Sequence, residues 1–262
     1  MNIILMGLLA GAVGMGIGGL FTAIFGSRTD KMISIFLSFA GGVMISIVLI
    51  ELIPEAAAYS NKVVTIIGLV IGALMVLFLS NFADKISGEG NFESKLHETH
   101  ETYKEFFHES ELIARKKSML RSGIIMLFAI GLHNIPEGLA IGAAGHYNPN
   151  LGLTLAIMIG LHNIPEGMAV SAPLISGGLS KTKTVLLTIL AGATTVIGAI
   201  AGVIIGSISD LAVALSFSIA GGAMLYVVFG EILPQSIVTN KDRIPTIFAL
   251  VGIIVGMLLT EI

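Results

Sequence analysis

Ala40-Gly41-Gly42-Val43-Met44, followed seven residues on by Glu51-Leu52-Ile53-Pro54-Glu55, lies in an apolar run over about 32–57. The pattern returns at an offset of 180 as Ala220-Gly221-Gly222-Ala223-Met224 and Glu231-Ile232-Leu233-Pro234-Gln235. At offsets of 181, Leu9-Ala10-Gly11-Ala12 echoes Leu190-Ala191-Gly192-Ala193, and Thr65-Ile66 echoes Thr246-Ile247. Both copies belong to triplets of apolar runs, each run roughly 20 residues long, the length that crosses a hydrocarbon core of about 30 Å. Working outward, eight spans are expected near 3–25, 32–57, 63–82, 122–144, 151–173, 184–207, 211–236 and 244–261. Unbroken runs of this length argue for helices and against the ten-residue alternation of a membrane β-barrel. Equivalent spans are five apart, an odd number, so spans 1–3 and 6–8 are expected in opposite orientations. This is an inverted repeat, in a 3+2+3 arrangement, of the kind built into secondary transporters.

Composition agrees with an all-α integral membrane protein formed by one domain over 1–262. Of 262 residues, 55% are hydrophobic and 12% charged, and mean hydropathy is +0.95, far more apolar than ordinary globular chains. A net charge of −3 leaves no basic surface to hold nucleic acid against salt. Cysteine is absent, which removes disulfides, iron–sulfur clusters and thiolate zinc sites together. Small residues suit close helix packing in lipid, and Gly numbers 32.

Thirteen of the fourteen Lys and Arg fall in connections on one side of this topology, and Lys62 lies on the other. The positive-inside rule then makes the first side cytoplasmic and both termini extracytoplasmic. The first span lacks a charged n-region and a cleavage site and reads as a retained helix, not a signal peptide. The 83–121 connection is the one long polar stretch and reads as a mobile cytoplasmic loop, with a short amphipathic helix from Tyr103 to Leu120.

Spans four and five carry a tighter repeat at an offset of 29: Leu132-His133-Asn134-Ile135-Pro136-Glu137-Gly138 and Leu161-His162-Asn163-Ile164-Pro165-Glu166-Gly167. Ionisable residues inside a membrane are expensive and mark function by default. His and Glu at i, i+4 and Asn and Glu at i, i+3 share about one helix face. Pro136 and Pro165 cannot donate a backbone hydrogen bond, which frees the carbonyls of Leu132 and Leu161 and bends the helix beside these side chains. Both motifs are central in their spans, near the bilayer midplane. Imidazole nitrogen with carboxylate and amide oxygen suits a borderline divalent first-row ion such as Zn2+. Two facing carboxylates repel until a dication sits between them.

With these motifs the chain resembles the ZIP (Zrt-, Irt-like protein) divalent-metal transporters, in their bacterial-type branch. The resemblance covers all eight spans, the long connection between the third and fourth, and the His-Asn-x-Pro-Glu-Gly motifs. It implies that His133, Asn134, Glu137, His162, Asn163 and Glu166 line a metal site for two neighbouring ions bridged by Glu137 and Glu166. It also makes Met44 and Glu51 lining residues, and implies a homodimer in the plasma membrane. Where many such members carry a Glu in a Ser-Gly-x-x-Glu-Pro stretch of the sixth span, this chain reads Ala191-Gly192-Ala193-Thr194-Thr195-Val196. Thr195 replaces that carboxylate.

The expected activity is therefore transport of Zn2+, with Fe2+, Mn2+ and Cd2+ as related cargo, into the cytoplasm by alternating access, without an organic cofactor. The inverted repeat adds Glu231 as the inner counterpart of Glu51, the two acting as exit and entrance ligands. An intramembrane metal-dependent hydrolase is the rival, but no His-Glu-x-x-His pair occurs and no general base remains once both Glu residues bind metal. A cation channel or proton antiporter using the same carboxylates is the other alternative. His97, His100 and His108 read as part of a solvated, charged segment.

Overall fold

Side-chain caps fix where the apolar helices begin. In the computed structural model, which describes residues 2–26, 29–87, 103–205 and 210–260, the Asn2 side chain accepts from the Ile4 N–H at the start of α1 (Ile3–Phe25). Thr29 accepts from the Met32 N–H at the start of α2 (Asp30–Tyr59). Asn61 accepts from the Val63 and Val64 N–H groups at the start of α3 (Lys62–Ser87). Such caps satisfy donors that a helix leaves open. The chain continues through α4 (Tyr103–Tyr147), α5 (Pro149–Ser176), α6 (Lys181–Ile205), α7 (Asp210–Thr239) and α8 (Ile244–Thr260). Gly178, with φ of 98°, closes the end of α5 in the left-handed conformation that glycine adopts without strain.

The described residues form helices and no strands. Among the described residues, six helices are long and apolar enough to cross a membrane, and Lys62–Phe78 and Ile244–Leu259 are shorter apolar stretches. The amphipathic helix expected from Tyr103 to Leu120 is not a separate element but the N-terminal extension of α4. His97 and His100 lie outside the described residues, and His108 lies in the backbone of that extension.

Two groups of helices pack closely within themselves: α1 with α4, α5 and α6, and α2 with α3, α7 and α8. Their seams are made by glycines, where an added methyl would strike a facing backbone. Gly42 of α2 meets the Ala249 carbonyl of α8, and Gly222 of α7 meets the Leu69 carbonyl of α3. Gly252 meets Phe39, and Gly72 meets Ile219. Each pair is its counterpart shifted by 180. Gly18 of α1 against Ile164, and Gly198 of α6 against Ile135, repeat in the same way once the 29-residue offset between α4 and α5 is applied. Gly11 and Gly192 face one another reciprocally. Small residues let backbones approach, and in lipid close packing holds helices together where water-driven burial cannot.

Large apolar side chains such as Val70, Leu74 and Phe78 of α3, Leu190 and Ile197 of α6, and Leu250 and Ile254 of α8 point outward. Hydroxyls turn inward instead. Ser34 and Ser236 bond across α2 and α7 at 3.1 Å, and Ser171 and Thr188 across α5 and α6 at 3.0 Å. The polar-inside arrangement is what an apolar solvent selects.

Proline also marks a local change of pitch. The π-helical segments Val48–Leu52 and Val228–Ile232 each precede a proline, Pro54 and Pro234. Proline withholds an N–H from the helical ladder, and a wider turn accommodates the gap. Glu51 and Glu231 sit on these wider turns.

Candidate metal centre

The motifs of α4 and α5 meet inside the protein, and His133, Asn134, Glu137, His162, Asn163 and Glu166 are all buried. Glu137 is the hub. Its Oε1 lies 3.0 Å from His133 Nε2 and 2.9 Å from His162 Nε2. Glu166 Oε1 lies 3.8 Å from the same His133 nitrogen. One ligand atom from each of His133, Glu137 and Glu166 falls within 4.8 Å of the others, close enough for one cation to reach all three.

Asn134 and Asn163 hold the two helices to their neighbours. The Asn134 side-chain amide donates to the Ala191 carbonyl at 3.2 Å and to the Met15 sulfur at 3.1 Å, and that of Asn163 donates to the Ala10 carbonyl at 3.1 Å. The two carbonyl bonds are counterparts under an offset of 29 between the asparagines and of 181 between the carbonyls, the shift that also relates Gly11 to Gly192. Donating through nitrogen leaves Oδ1 of both amides without a protein hydrogen-bond partner. The same is true of Glu137 Oε2, both Glu166 oxygens, Thr195 Oγ1 and His133 Nδ1. Buried polar atoms are rarely left unpaired, and each one calls for an explanation. A cluster dominated by acceptor oxygens beside imidazole nitrogens is a donor set for a cation, and it fits a borderline divalent ion.

Other residues expected at the site are placed differently. Met44 is fully buried in the apolar core. Glu51, half-buried on its π turn, lies within electrostatic reach of His162 and Glu137 but outside the close group. Glu231 is buried in a separate cluster. Ser122 Oγ donates to its Oε2 at 2.7 Å, and Arg121 Nη1 lies 3.4 Å from its Oε1. Arg121, Ser122 and Ser80 were not legible as partners of Glu231, since 110 residues separate the arginine from the carboxylate. The available signal was that Arg121 is the last charge before the apolar run of α4.

The model of the family described as "ZIP Zinc transporter" matches residues 2–262. This chain belongs to the ZIP family. It is 32% identical over 259 residues to a protein named zinc transporter ZupT from Chlorobium chlorochromatii, covering 94% of this chain and 91% of that one. It is 34% identical over 268 residues to a zinc transporter ZupT from Akkermansia muciniphila, covering 99% and 95%. Members of this ZIP family are transporters, not enzymes, and the hydrolase alternative falls away. The protein is a multi-pass membrane protein whose family moves metal ions.

Proposed function

We propose that this ZIP protein carries Zn2+, with Fe2+, Mn2+ and Cd2+ as related cargo, into the cytoplasm by alternating access. The observation that carries the reading is Glu137 Oε1 shared by the two motif histidines, with Glu166 adjoining. His133, Glu137 and Glu166 are the central ligands, with His162 and the free amide oxygens of Asn134 and Asn163 completing the shell. Met44 lines the path, Glu51 receives the ion on the outer side, and Glu231 releases it on the inner side. Eight spans in a 3+2+3 inverted repeat, with both termini outside the plasma membrane, are part of the proposal. The glycine seams that recur at an offset of 180 support it. Two like halves of opposite orientation can exchange roles around a midplane site, which is how alternating access is built in such folds. A homodimer belongs to the same reading and is checked by mass determination in lipid nanodiscs.

The deciding experiment is 65Zn uptake into vesicles holding the purified protein, comparing wild type with Glu137→Ala and adding Fe2+, Mn2+ or Cd2+ as competitors. Saturable uptake that the substitution abolishes is expected. Absence of wild-type uptake, or full uptake by Glu137→Ala, would refute the proposal.

A further inference from the structure

Glu51 and Glu231 occupy equivalent π turns, yet their surroundings differ. Glu231 is 7% exposed, and both of its oxygens are engaged. Ser122 donates to one, and the Arg121 guanidinium faces the other while its second nitrogen donates to Ser80 Oγ at 2.9 Å. Ser80 Oγ itself lies 3.5 Å from Glu231 Oε1. Three helices are thereby joined: α3 through Ser80, α4 through Arg121 and Ser122, and α7 through Glu231. Within the grouping described above, the contact ties α4 of one group to α3 and α7 of the other. The offset of 29 that maps one metal motif onto the other maps Arg121 to Asn150 and Ser122 to Leu151. Asn150 is exposed and carries no charge.

We propose that Arg121 is a tethered cation that holds the Glu231 carboxylate when no ion is there, closing the bundle at the level of Ser80 and Glu231. A metal ion passing that level must take the arginine's place on Glu231. The inference rests on the reading of Glu231 as an ion ligand on the transport path. Arginine suits the task because its charge is permanent and cannot be lost to a proton exchange. The pair is also made to exchange. Its 3.4 Å separation exceeds the 2.7–2.9 Å typical of a tight charge-assisted bond, and Arg121 keeps 18% of its side chain exposed. A dication brings twice the charge to the same carboxylate, while Ser122 keeps Glu231 aimed throughout.

Two measurements on the full-length protein test the exchange and the closure separately. For the exchange, Zn2+ binding is titrated in the Glu137→Ala background, where the central site is disabled. Adding Arg121→Gln is expected to tighten the remaining Zn2+ binding at least tenfold, and adding Glu231→Gln on top of it to remove that gain. Equal binding with and without the arginine overturns the proposal. For the closure, the chain's lack of cysteine makes Val76→Cys a sole thiol. Val76 is buried and lies one turn before Ser80 on α3. Its labelling by a charged, membrane-impermeant thiol reagent is expected to rise at least fivefold with Arg121→Gln or Glu231→Gln and to stay within twofold with Arg121→Lys. Unchanged labelling in the two neutralising variants overturns the proposal, and either variant suffices if the other fails to fold. Wild-type 65Zn uptake is measured alongside, so failure of the latch and failure of the transport reading are separate results.

Discussion

Replacing Glu137 by Gln keeps the shape of the hub and removes its charge. The carboxylate Oε1 serves two histidines, at 3.0 and 2.9 Å. A hydrogen bond to a charged group contributes roughly 1.5–3 kcal/mol and a neutral one roughly 0.5–1.5 kcal/mol, so each contact loses about 1 kcal/mol in the variant. An ion held at the same oxygen loses at least as much as the two imidazoles do together, about 2 kcal/mol. At 1.4 kcal/mol per tenfold, that is an affinity lower by about 30-fold. The assay is 65Zn uptake into vesicles over a range of zinc concentrations, with the amount of folded protein matched by size-exclusion chromatography. KM is expected to rise about 30-fold. A KM within threefold of wild type would refute the placement of Glu137 on the ion. Combining Glu137→Gln with His162→Gln sharpens the test, because the two side chains touch and their effects are expected to be non-additive by about 0.5–3 kcal/mol. Simple additivity would mean that this contact plays no part in holding the ion.

Four further substitutions probe the scaffold. Gly42→Ala and Gly222→Ala each drive a methyl into a facing carbonyl, of Ala249 and Leu69, and each is expected to lower stability by about 1–3 kcal/mol in detergent unfolding. Matching losses at the two positions are the signature of equivalent seams. Asn163→Leu removes the side-chain hydrogen bond to the buried Ala10 carbonyl and is expected to destabilise by about 0.5–1.5 kcal/mol in the same assay. Thr195→Val removes a buried hydroxyl that has no protein partner, so stability is expected to hold or to rise by about 1 kcal/mol. A fall in zinc affinity in that otherwise stable variant, read by titration, identifies Thr195 as an ion ligand.

The parts of the fold that could be read from sequence are those whose cause is local. Apolar runs mark the spans because hydrocarbon is their solvent, and the i, i+4 spacing of His133 and Glu137 puts both on one helix face whatever surrounds them. The offset of 180 is visible because the small residues that let α2 meet α8 are the same that let α7 meet α3. Where a cause lies far along the chain, the sequence is silent. Met15 reads as one more apolar residue of α1, yet its sulfur accepts from Asn134, 119 residues away. The helix start at Tyr103 is legible as a short amphipathic segment, but its unbroken run into the span of α4 is not, because the polar extension and the apolar run share no pattern. Pro54 and Pro234 are visible in the repeat, but that the turn before each is a π turn carrying a glutamate depends on how the backbone relaxes around a missing N–H.

The unequal partners of Glu51 and Glu231 bear on direction. A carrier made of two like halves has no preferred resting side unless some residue breaks the likeness, and the arginine at 121 does so where its counterpart is Asn150. Each 1.4 kcal/mol by which the latch favours one closed end changes the resting populations tenfold. Moving the charge should therefore move the preference. Asn150→Arg supplies a guanidinium at the position that corresponds, under the 29-residue offset, to Arg121. In 65Zn uptake it is expected to compete with zinc for Glu51, raising KM at least threefold while leaving the maximal rate within twofold. Adding Glu51→Gln removes the carboxylate the new arginine would hold, so the two substitutions together should fall short of the product of their separate effects on KM. If Asn150→Arg changes nothing, or if its effect persists unaltered without Glu51, then the likeness of the halves does not extend to their ends, and the closing of one end by Arg121 is a local feature of α4 with no bearing on direction.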